Sequence, residues 1–326
     1  MSEGSPVPRR VTAVAVADLF RACPAWRADG CHVTGRVNTD PVSGSQSSVV
    51  VVGPASWNTL VQLAELPDAR PQTVHAKHSW STLGGTSAGK ALHLADLSVS
   101  VTLSTVVGAD TEATLICDSL SHDRITLVAE CVDGSSERHL NLMAEGARLS
   151  IYLSLPQTPV NALPAATLQA TEAADHVVLD LSLRTRDVIG TVRGSGATVW
   201  TDLHNYDGES AFHRPFLDAA DIVFLSNEAL GDPRSFMAEV LADGKCLVVC
   251  TLGAEGAIAL DSRGWHRVAA VPTEVIDTNG AGDAFLAGFL AATRKGVDVQ
   301  GCLESGAGQA ARALGTPHLS PLLDDR

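Results

Sequence analysis

The segment whose residue types most clearly suggest chemistry runs Asp277-Thr278-Asn279-Gly280-Ala281-Gly282-Asp283 and leads into an apolar stretch that extends to Ala292. An apolar stretch of this kind predicts a buried helix. At its N-terminus, unpaired N–H groups and the positive end of the helix dipole would face a ligand. Gly280 and Gly282 remove side chains that would keep a phosphate away. The spacing therefore predicts an anion-binding loop over residues 280–282, with Ala281 between the glycines.

Asp283 falls in the first turn of this predicted helix. A carboxylate beside a phosphate-binding loop can orient an alcohol and accept its proton during phosphoryl transfer. The alternative is that the glycines and the aspartate form only a turn and a helix cap. The combination of two glycines, the aspartate and an apolar helix favours a phosphoryl-transfer site with Asp283 as its catalytic base.

Two further glycine-containing motifs precede this one. The run from Gly84 to Ala91, GGTSAGKA, opens a predicted helix, but Ala91 stands where a Walker loop needs a magnesium-binding hydroxyl. A tight turn is an equally good interpretation of that glycine pair. The run Thr251-Leu252-Gly253-Ala254-Glu255-Gly256 follows a β-like segment, at the strand end where open α/β sheets bind ligands.

These motifs require a layered sheet to position them. Val49–Val52 is a continuous β-branched run, as expected for a strand buried on both faces. Segments of helical and strand length then alternate, which predicts parallel strands joined by crossover helices. The predicted helices cover residues 87–95 and 111–121, and the further strands cover residues 99–106, 177–180, 198–202, 222–225 and 247–251.

Two regions depart from this alternation. Residues 125–131 and 138–143 flank Asp133-Gly134, which predicts a β-hairpin and an inserted lid of antiparallel strands. Residues 1–46 lack sustained periodicity and end in a polar Ser- and Gly-containing linker, so we predict an N-terminal extension before a domain over residues 47–326.

Composition excludes several classes of protein. Lys+Arg 23 against Asp+Glu 37 gives a net charge of −14 in 326 residues, which disfavours binding to nucleic acid or anionic membranes. No stretch approaches the roughly 18 consecutive apolar residues of a membrane helix, and we expect a cytoplasmic protein. The seven scattered cysteines form no C-x-x-C pair, which argues against a disulfide framework or a zinc site. No G-x-G-x-x-G follows the first strand, so a dehydrogenase is disfavoured.

In this order, the three motifs resemble those of the ribokinase-like (PfkB) family of carbohydrate and nucleoside kinases over about residues 49–321. The resemblance implies a three-layer α/β/α fold with a mostly parallel central sheet and a small β lid. It also implies ATP and Mg²⁺ as cofactors, a homodimer, and a potassium ion that many members hold on the backbone near Asp277 and Gly315.

Site residues follow from the same resemblance. Asp283 matches the catalytic base, with Gly280, Ala281 and Gly282 as the anion hole. The nucleotide-binding positions are Asn227, Thr251, Gly253, Glu255, Gly256 and Asn279. The sugar-facing positions are Ser56, Asn58, Gly84, Gly85, Thr86 and Gly89.

The chain departs from the family pattern at four positions. Asn58 and Ser182 stand where many relatives have acids, Gly89 where many have asparagine, and Leu230 where the N-x-x-E element has glutamate, with Glu228 the nearest carboxylate. We therefore carry three hypotheses. The first is a kinase acting on a primary hydroxyl of a sugar, the second a nucleoside kinase with Trp57 stacking on the base, and the third a non-catalytic relative that only binds its ligands.

Overall fold

A computed structural model describes residues 48–145 and 147–324. The strands are β1 (Val49–Val52), β2 (Ser56–Gln62), β3 (His78–Gly84), β4 (Val101–Val107), β5 (Ile125–Cys131), β6 (Glu137–Ala144), β7 (Ala147–Ser154), β8 (His176–Leu179), β9 (Thr198–Asp202), β10 (Ile222–Ser226), β11 (Leu247–Thr251), β12 (Ala257–Asp261) and β13 (Gly264–Val268). The helices are α1 (Thr86–Asp96), α2 (Thr111–Ser119), α3 (Ala165–Ala173), α4 (Leu183–Arg186), α5 (Ile189–Ser195), α6 (Arg214–Ala219), α7 (Pro233–Ala242), α8 (Ala281–Thr293) and α9 (Val299–Leu314).

The central sheet has the strand order β13-β12-β11-β10-β9-β8-β1-β4-β5. Its strands are parallel from β11 to β5, and β12 and β13 continue it antiparallel at one edge. This confirms the predicted three-layer α/β/α class. Strand β1 pairs with β4 on one side and with β8 on the other, so the strand order reverses at β1. Ligands of such sheets bind outside the carboxyl ends of the strands at this reversal.

All four residues of β1 are buried. Because successive side chains of a strand point to opposite faces of the sheet, the sheet is covered on both faces at β1. Val49 and Val51 join one apolar cluster, with α1, α8 and α9. Val50 and Val52 join a second cluster on the opposite face. The continuous valine run was correctly interpreted as a strand buried on two sides.

Helix α8 is buried from Asp283 to Thr293. It packs closely against α9, and glycines on each helix make this approach possible. A Cβ added at Gly288 would lie 2.6 Å from the Ser305 carbonyl oxygen and 3.0 Å from Gly306 Cα. The contact holds α9 directly against α8, and α9 also contacts β12 and β13 at the edge of the central sheet.

A four-stranded second sheet, in the order β3-β2-β6-β7, forms the lid. The prediction of a hairpin between residues 125–131 and 138–143 was wrong: β5 pairs parallel with β4 in the central sheet, whereas β6 lies in the lid. Asp133-Gly134 thus joins two sheets. Its turn chemistry reverses the chain locally, but burial of Ile125 and pairing with β4 decide where β5 lies.

Strands β2 and β3 were not predicted from the sequence, where the segment before Gly84 showed only weak β character. Ser56 and Asn58 accordingly lie in the first lid strand rather than at the end of β1. The predicted N-terminal extension over residues 1–46 lies outside the described residues, and the domain boundary at 46/47 stays a prediction. No helix in the described ranges is long and apolar enough to cross a membrane.

The α8–α9 contact yields a stability prediction. Gly288→Ala should lower the free energy of unfolding by about 1–3 kcal/mol, because the added methyl meets α9 backbone that cannot move away cheaply. The matched control is Gly308→Ala within α9, where a Cβ meets nothing within 4 Å. This control should raise stability by about 0.5–1 kcal/mol through helix propensity. Urea unfolding of both variants measures the difference, and equal midpoints would contradict the packing argument.

Candidate active site

The N-terminus of α8 is open. Gly280 adopts φ 77 at the N-cap, and no side chain of the described residues caps the helix. The first helical hydrogen bond is from the Ala284 N–H to the Gly280 carbonyl, at 2.8 Å. A Cβ at Gly282 would meet nothing within 4 Å. The N–H groups of residues 281–283 therefore precede the first helical bond beside open space, which is the arrangement that binds an anion.

Gly280 is needed for two reasons. Its left-handed backbone conformation is one that side chains disfavour. A Cβ there would also lie 2.8 Å from Leu319 Cδ1. Leu319 is itself held by its carbonyl, which lies 3.0 Å from Nε2 of the buried His93. Burial lowers the pKa of His93 to about 4, so this imidazole is neutral and its Nε2–H donates. The loop before α8 is thus packed against Leu319 at Gly280.

The Asp283 carboxylate does not point into bulk water. Its side chain is 11% exposed. Oδ1 accepts a hydrogen bond from Thr86 Oγ1 at 2.6 Å and another from Lys90 Nζ at 2.8 Å. Both donors come from the first turns of α1. The glycine-pair motif and the Asp283 motif, about 200 residues apart, therefore meet in one site.

The predicted sugar-facing residues lie in or beside the first turns of α1, with Ser56 and Asn58 on the adjacent strand β2. Asn58 contacts the backbone of Gly84 so closely that a Cβ on Gly84 would lie 2.0 Å from Asn58 Nδ2. Ser56 Oγ donates to Asn58 Oδ1 at 2.8 Å. Gly85 has φ 90, and its Cβ would lie 2.6 Å from Ala55 Cα. The structure thus brings Ser56, Asn58, Gly84 and Gly85 together beside Thr86.

A buried ion cluster around Lys90 was not predicted from the sequence. This side chain is fully buried, and its Nζ lies 2.9 Å from Asp180 Oδ1, 3.3 Å from Asp202 Oδ2 and 2.8 Å from Asp283 Oδ1. This burial excludes Lys90 as a cation that contacts an acidic substrate directly. Two sequence features could have indicated this cluster. Lys90 has apolar neighbours, and Asp180 and Asp202 end two of the predicted buried strands.

The charges in this cluster shift one another's pKa. Burial opposes the charged form of Lys90, but attraction to Asp180, Asp283 and Asp202 outweighs it and raises the lysine pKa above its usual value. Burial raises the pKa of Asp180, against the attraction of Lys90. Burial also opposes ionisation of Asp202, yet His204 and Lys90 together lower its pKa to about 2. The ammonium therefore stays charged.

The predicted nucleotide-binding residues lie at the carboxyl ends of neighbouring strands. Asn227 follows β10 and Thr251 ends β11, and the Asn227 N–H donates to the Thr251 carbonyl at 3.1 Å. Gly253–Glu255 form one 3-10 turn. Gly256 has φ 92, and a Cβ there would lie 2.1 Å from the Val268 carbonyl oxygen. The glycines thus give this turn its shape, and Asn227 and Glu255 lie exposed beside it.

The loop before α8 contacts both the lid and α9. Asn279 donates from Nδ2 to Asp277 Oδ1 at 2.9 Å and accepts from Arg148 Nη1 of β7 at 3.2 Å. The Ile276 N–H donates to the Leu314 carbonyl at 2.8 Å. The Asp277 backbone therefore lies near Gly315, which is the proximity that the predicted cation site needs.

The departures from the family pattern have local explanations. Ser182 caps α4 by accepting from the Thr185 N–H at 3.0 Å. Leu230 packs against the second apolar cluster, and Glu228 is exposed. In the part of the chain that the structure describes, no three His, Cys, Asp or Glu side chains are grouped to hold a metal ion. The described cysteines, at 117, 131, 246, 250 and 302, form no disulfide bond with one another.

Comparisons with known proteins agree with this geometry. A family model described as pfkB family carbohydrate kinase matches residues 216–325. Acarbose 7(IV)-phosphotransferase of Actinoplanes sp. is 33% identical over 279 residues, which cover 83% of this chain and 93% of that protein. The chain belongs to the pfkB family of carbohydrate kinases. A solved acarbose kinase, the microbiome-derived Mak1, is 30% identical with a TM-score of 0.75 and covers 83% of this kinase and 94% of its own chain.

More distant relatives share the fold of this carbohydrate kinase. The structure of Arabidopsis thaliana ribokinase with ribose and ATP superposes with a TM-score of 0.70 at 21% identity, covering 84% of this chain and 95% of that one. A nucleoside kinase of Methanothermobacter thermautotrophicus is 25% identical over 274 residues, 78% of this chain and 85% of that protein. The predicted ribokinase-like fold is thereby confirmed.

Gly89 offers a direct test of the site geometry. A Cβ at this helical position would lie 2.9 Å from Asp283 Oδ2. Gly89→Ala should therefore displace the carboxylate and lower kcat by about 10- to 100-fold, while helix propensity keeps or raises the thermal midpoint. Gly190→Ala in α5, where a Cβ meets nothing within 4 Å, should leave kcat unchanged. Steady-state kinetics and thermal melts of both variants check this, and full activity of Gly89→Ala would contradict it.

Proposed function

We propose that this carbohydrate kinase transfers the γ-phosphoryl group of ATP to a primary hydroxyl of a sugar or sugar-containing small molecule, with Asp283 as the general base. The supporting observation is the position of the Asp283 carboxylate. It lies between the open N-terminus of α8 and the polar side chains at the start of α1 and β2. An alcohol bound there would have a base on one side and an anion-binding loop on the other.

The chemistry follows from this placement. The alcohol O–H bond breaks as its oxygen forms a bond to the γ-phosphorus, and the proton goes to the Asp283 carboxylate. The bond from the γ-phosphorus to the bridging oxygen breaks, and its electron pair leaves with ADP. Gly280, Ala281 and Gly282 would direct N–H groups and the positive helix end at the transferring group, whose charge is spread over its oxygens.

The nucleotide would lie over β10 and β11. Asn227, Thr251, Gly253, Glu255 and Gly256 lie at the carboxyl ends of those strands. Asn279, which follows Asp277 in the loop before α8, would lie beside the phosphates. Mg²⁺ usually binds through one or two carboxylates plus substrate phosphates, so a protein with no preformed cage is compatible with it. Exposed Glu228 beside Asn227 is the carboxylate that fits this role.

A sugar is favoured over a nucleoside as the acceptor. Trp57, which could have stacked on a base, packs against the apolar cluster beneath the lid. Asn58 and Thr86 instead offer an amide and a hydroxyl group, which suit sugar hydroxyls, and the buried Ser56 holds Asn58 Oδ1. The relatives with acarbose in their names point to an extended, oligosaccharide-like acceptor as the first compound to test. A nucleoside kinase remains the second candidate because a nucleoside kinase is among the relatives.

Potassium and location complete the proposal. The backbone near Asp277 and Gly315 would hold a monovalent cation, for which the hydrogen bond from Ile276 to Leu314 provides the required closeness. We place the kinase in the cytoplasm, where ATP is available. With a net charge of −14, it has no general affinity for nucleic acid or anionic membranes.

The activity is tested with ATP, Mg²⁺ and a panel of acarbose, maltooligosaccharides, pentoses, hexoses and nucleosides. We expect ADP release with at least one sugar, and Asp283→Asn should reduce kcat by about 10² or more because the proton acceptor is lost. Asp243→Asn, on the exposed end of α7, should retain full activity.

Two outcomes would contradict the proposal. Turnover of Asp283→Asn within a few-fold of the wild type would exclude Asp283 as the base. Binding of nucleotide or sugar in calorimetry, with no ADP release for any acceptor, would favour the non-catalytic alternative.

We also propose a homodimer that associates through the lid. Strand β7 is at the edge of the lid sheet and exposes the large apolar side chains Leu149, Ile151, Tyr152 and Leu153, and Leu155 directly after the strand is exposed as well. An exposed, apolar edge strand is a surface that pairs with another chain. A second lid is the partner that presents the same surface.

The dimer is tested by light scattering coupled to size-exclusion chromatography. The wild type should elute at about twice the chain mass of 33.9 kDa. Leu153→Lys should elute as a monomer, because a charge would have to be buried at the interface. Leu183→Lys in α4 is the control, since both leucines are 52% exposed. A wild-type monomer, or a dimer of Leu153→Lys, would contradict association through β7.

A further inference from the structure

The two oxygens of the Asp283 carboxylate have different surroundings. Oδ1 accepts from both Thr86 Oγ1 and Lys90 Nζ. No described residue donates a hydrogen bond to Oδ2, which lies over Gly89, where a Cβ would be only 2.9 Å away. One oxygen is therefore held by α1, and the other has its lone pairs free.

Lys90 cannot act on a substrate directly. Its side chain is fully buried and its ammonium faces carboxylates. Asp180 and Asp202 follow or end adjacent parallel strands, β8 and β9, so the sheet fixes their positions. Lys90 is thereby fixed between the sheet and Asp283, and any effect that it has on the reaction passes through Asp283.

We propose that Lys90 is a positioning residue that holds the Asp283 carboxylate through Oδ1, so that Oδ2 is the oxygen that takes the proton of the acceptor alcohol. This assignment rests on the proposed kinase function. It explains why Gly89 and Lys90 occur together: the glycine leaves room for Oδ2 and the lysine holds Oδ1.

A purely structural role for the cluster is the competing explanation. Buried ion clusters are weak sources of stability, because the cost of removing charges from water offsets their attraction. This cluster also has imperfect geometry. Lys90 Nζ is near Asp180 Oδ1 without the alignment of a hydrogen bond, and that buried oxygen has no hydrogen-bond partner among the described residues. Lys90 Nζ, in contrast, donates a hydrogen bond to Asp283 Oδ1 at 2.8 Å.

The test separates folding from positioning with Lys90→Met and the double variant Lys90→Met/Asp180→Asn. Removing one cation and one anion keeps the formal charge of the cluster unchanged, so the double variant should regain the thermal midpoint that Lys90→Met loses. We expect both variants to show kcat lowered by about 10- to 100-fold, with KM for ATP and for the acceptor within about threefold of the wild type. The acceptor is acarbose or, if another panel sugar is turned over faster, that sugar.

Two further variants sharpen the comparison. Lys90→Gln keeps an N–H donor, on a side chain one atom shorter, and should recover part of the kcat lost in Lys90→Met. Lys295→Met, at an exposed position beyond α8, should match the wild type. Recovery of wild-type kcat in the double variant would overturn the proposal in favour of a structural role. A raised KM at unchanged kcat would overturn it in favour of a role in binding.

A crystal structure of the double variant provides a readout that does not need turnover. We expect the Asp283 side chain to have rotated, with Oδ1 moved away from the position that it takes beside the Lys90 ammonium in the wild type. An unrotated carboxylate would overturn the positioning role. If the wild type phosphorylates no acceptor, the proposed function fails, and this structure still decides whether Lys90 positions Asp283.

Discussion

The site depends on one close approach, that of the N-terminus of α8 to the first turns of α1. Asp283 must reach Thr86 and Lys90 while its Oδ2 lies against Gly89, and the absence of a Cβ at Gly89 makes that distance possible. A displacement of α8 by a side chain's width would break both hydrogen bonds to Oδ1. The loop packing at Gly280 and the glycine contact between α8 and α9 can be understood as the means of preventing that displacement.

The close approach carries an electrostatic consequence. A carboxylate at the opening of a phosphate-binding loop repels the anion that the loop attracts. Here Lys90 places a positive charge on the far side of that carboxylate, and Asp180 and Asp202 hold the lysine in place. The cluster is costly to bury, which is consistent with a site built for chemistry rather than for stability. The cation itself remains charged because three carboxylates outweigh the effect of its burial on its pKa.

The lid shows a different balance of forces. Strands β2, β3 and β6 are buried at only some positions, β7 is exposed over most of its length, and among the described strands β7 has no paired neighbour on its outer edge. Hydrogen bonds attach it to the kinase body at few points, among them Trp80 to the Pro317 carbonyl, Thr82 to His318 and Arg148 to Asn279. The last of these contacts is at Asn279, so the lid contacts the residue directly before the proposed anion-binding loop. A second lid would bury the apolar side chains that β7 leaves exposed.

The sequence alone determined the features that depend on local chemistry. The valine run of β1, the alternation of helices and strands and the apolar length of α8 each follow from periodicity and burial, and the glycines beside Asp283 mark the open end of a helix. Only the tertiary structure decided which distant residues meet. The sequence did not show that β5 leaves its apparent hairpin for the central sheet, since strand pairing depends on neighbours far along the chain. Nor did it show that Lys90 lies against Asp180, Asp202 and Asp283, because long-range electrostatic contacts leave no periodic signal in the residues that make them.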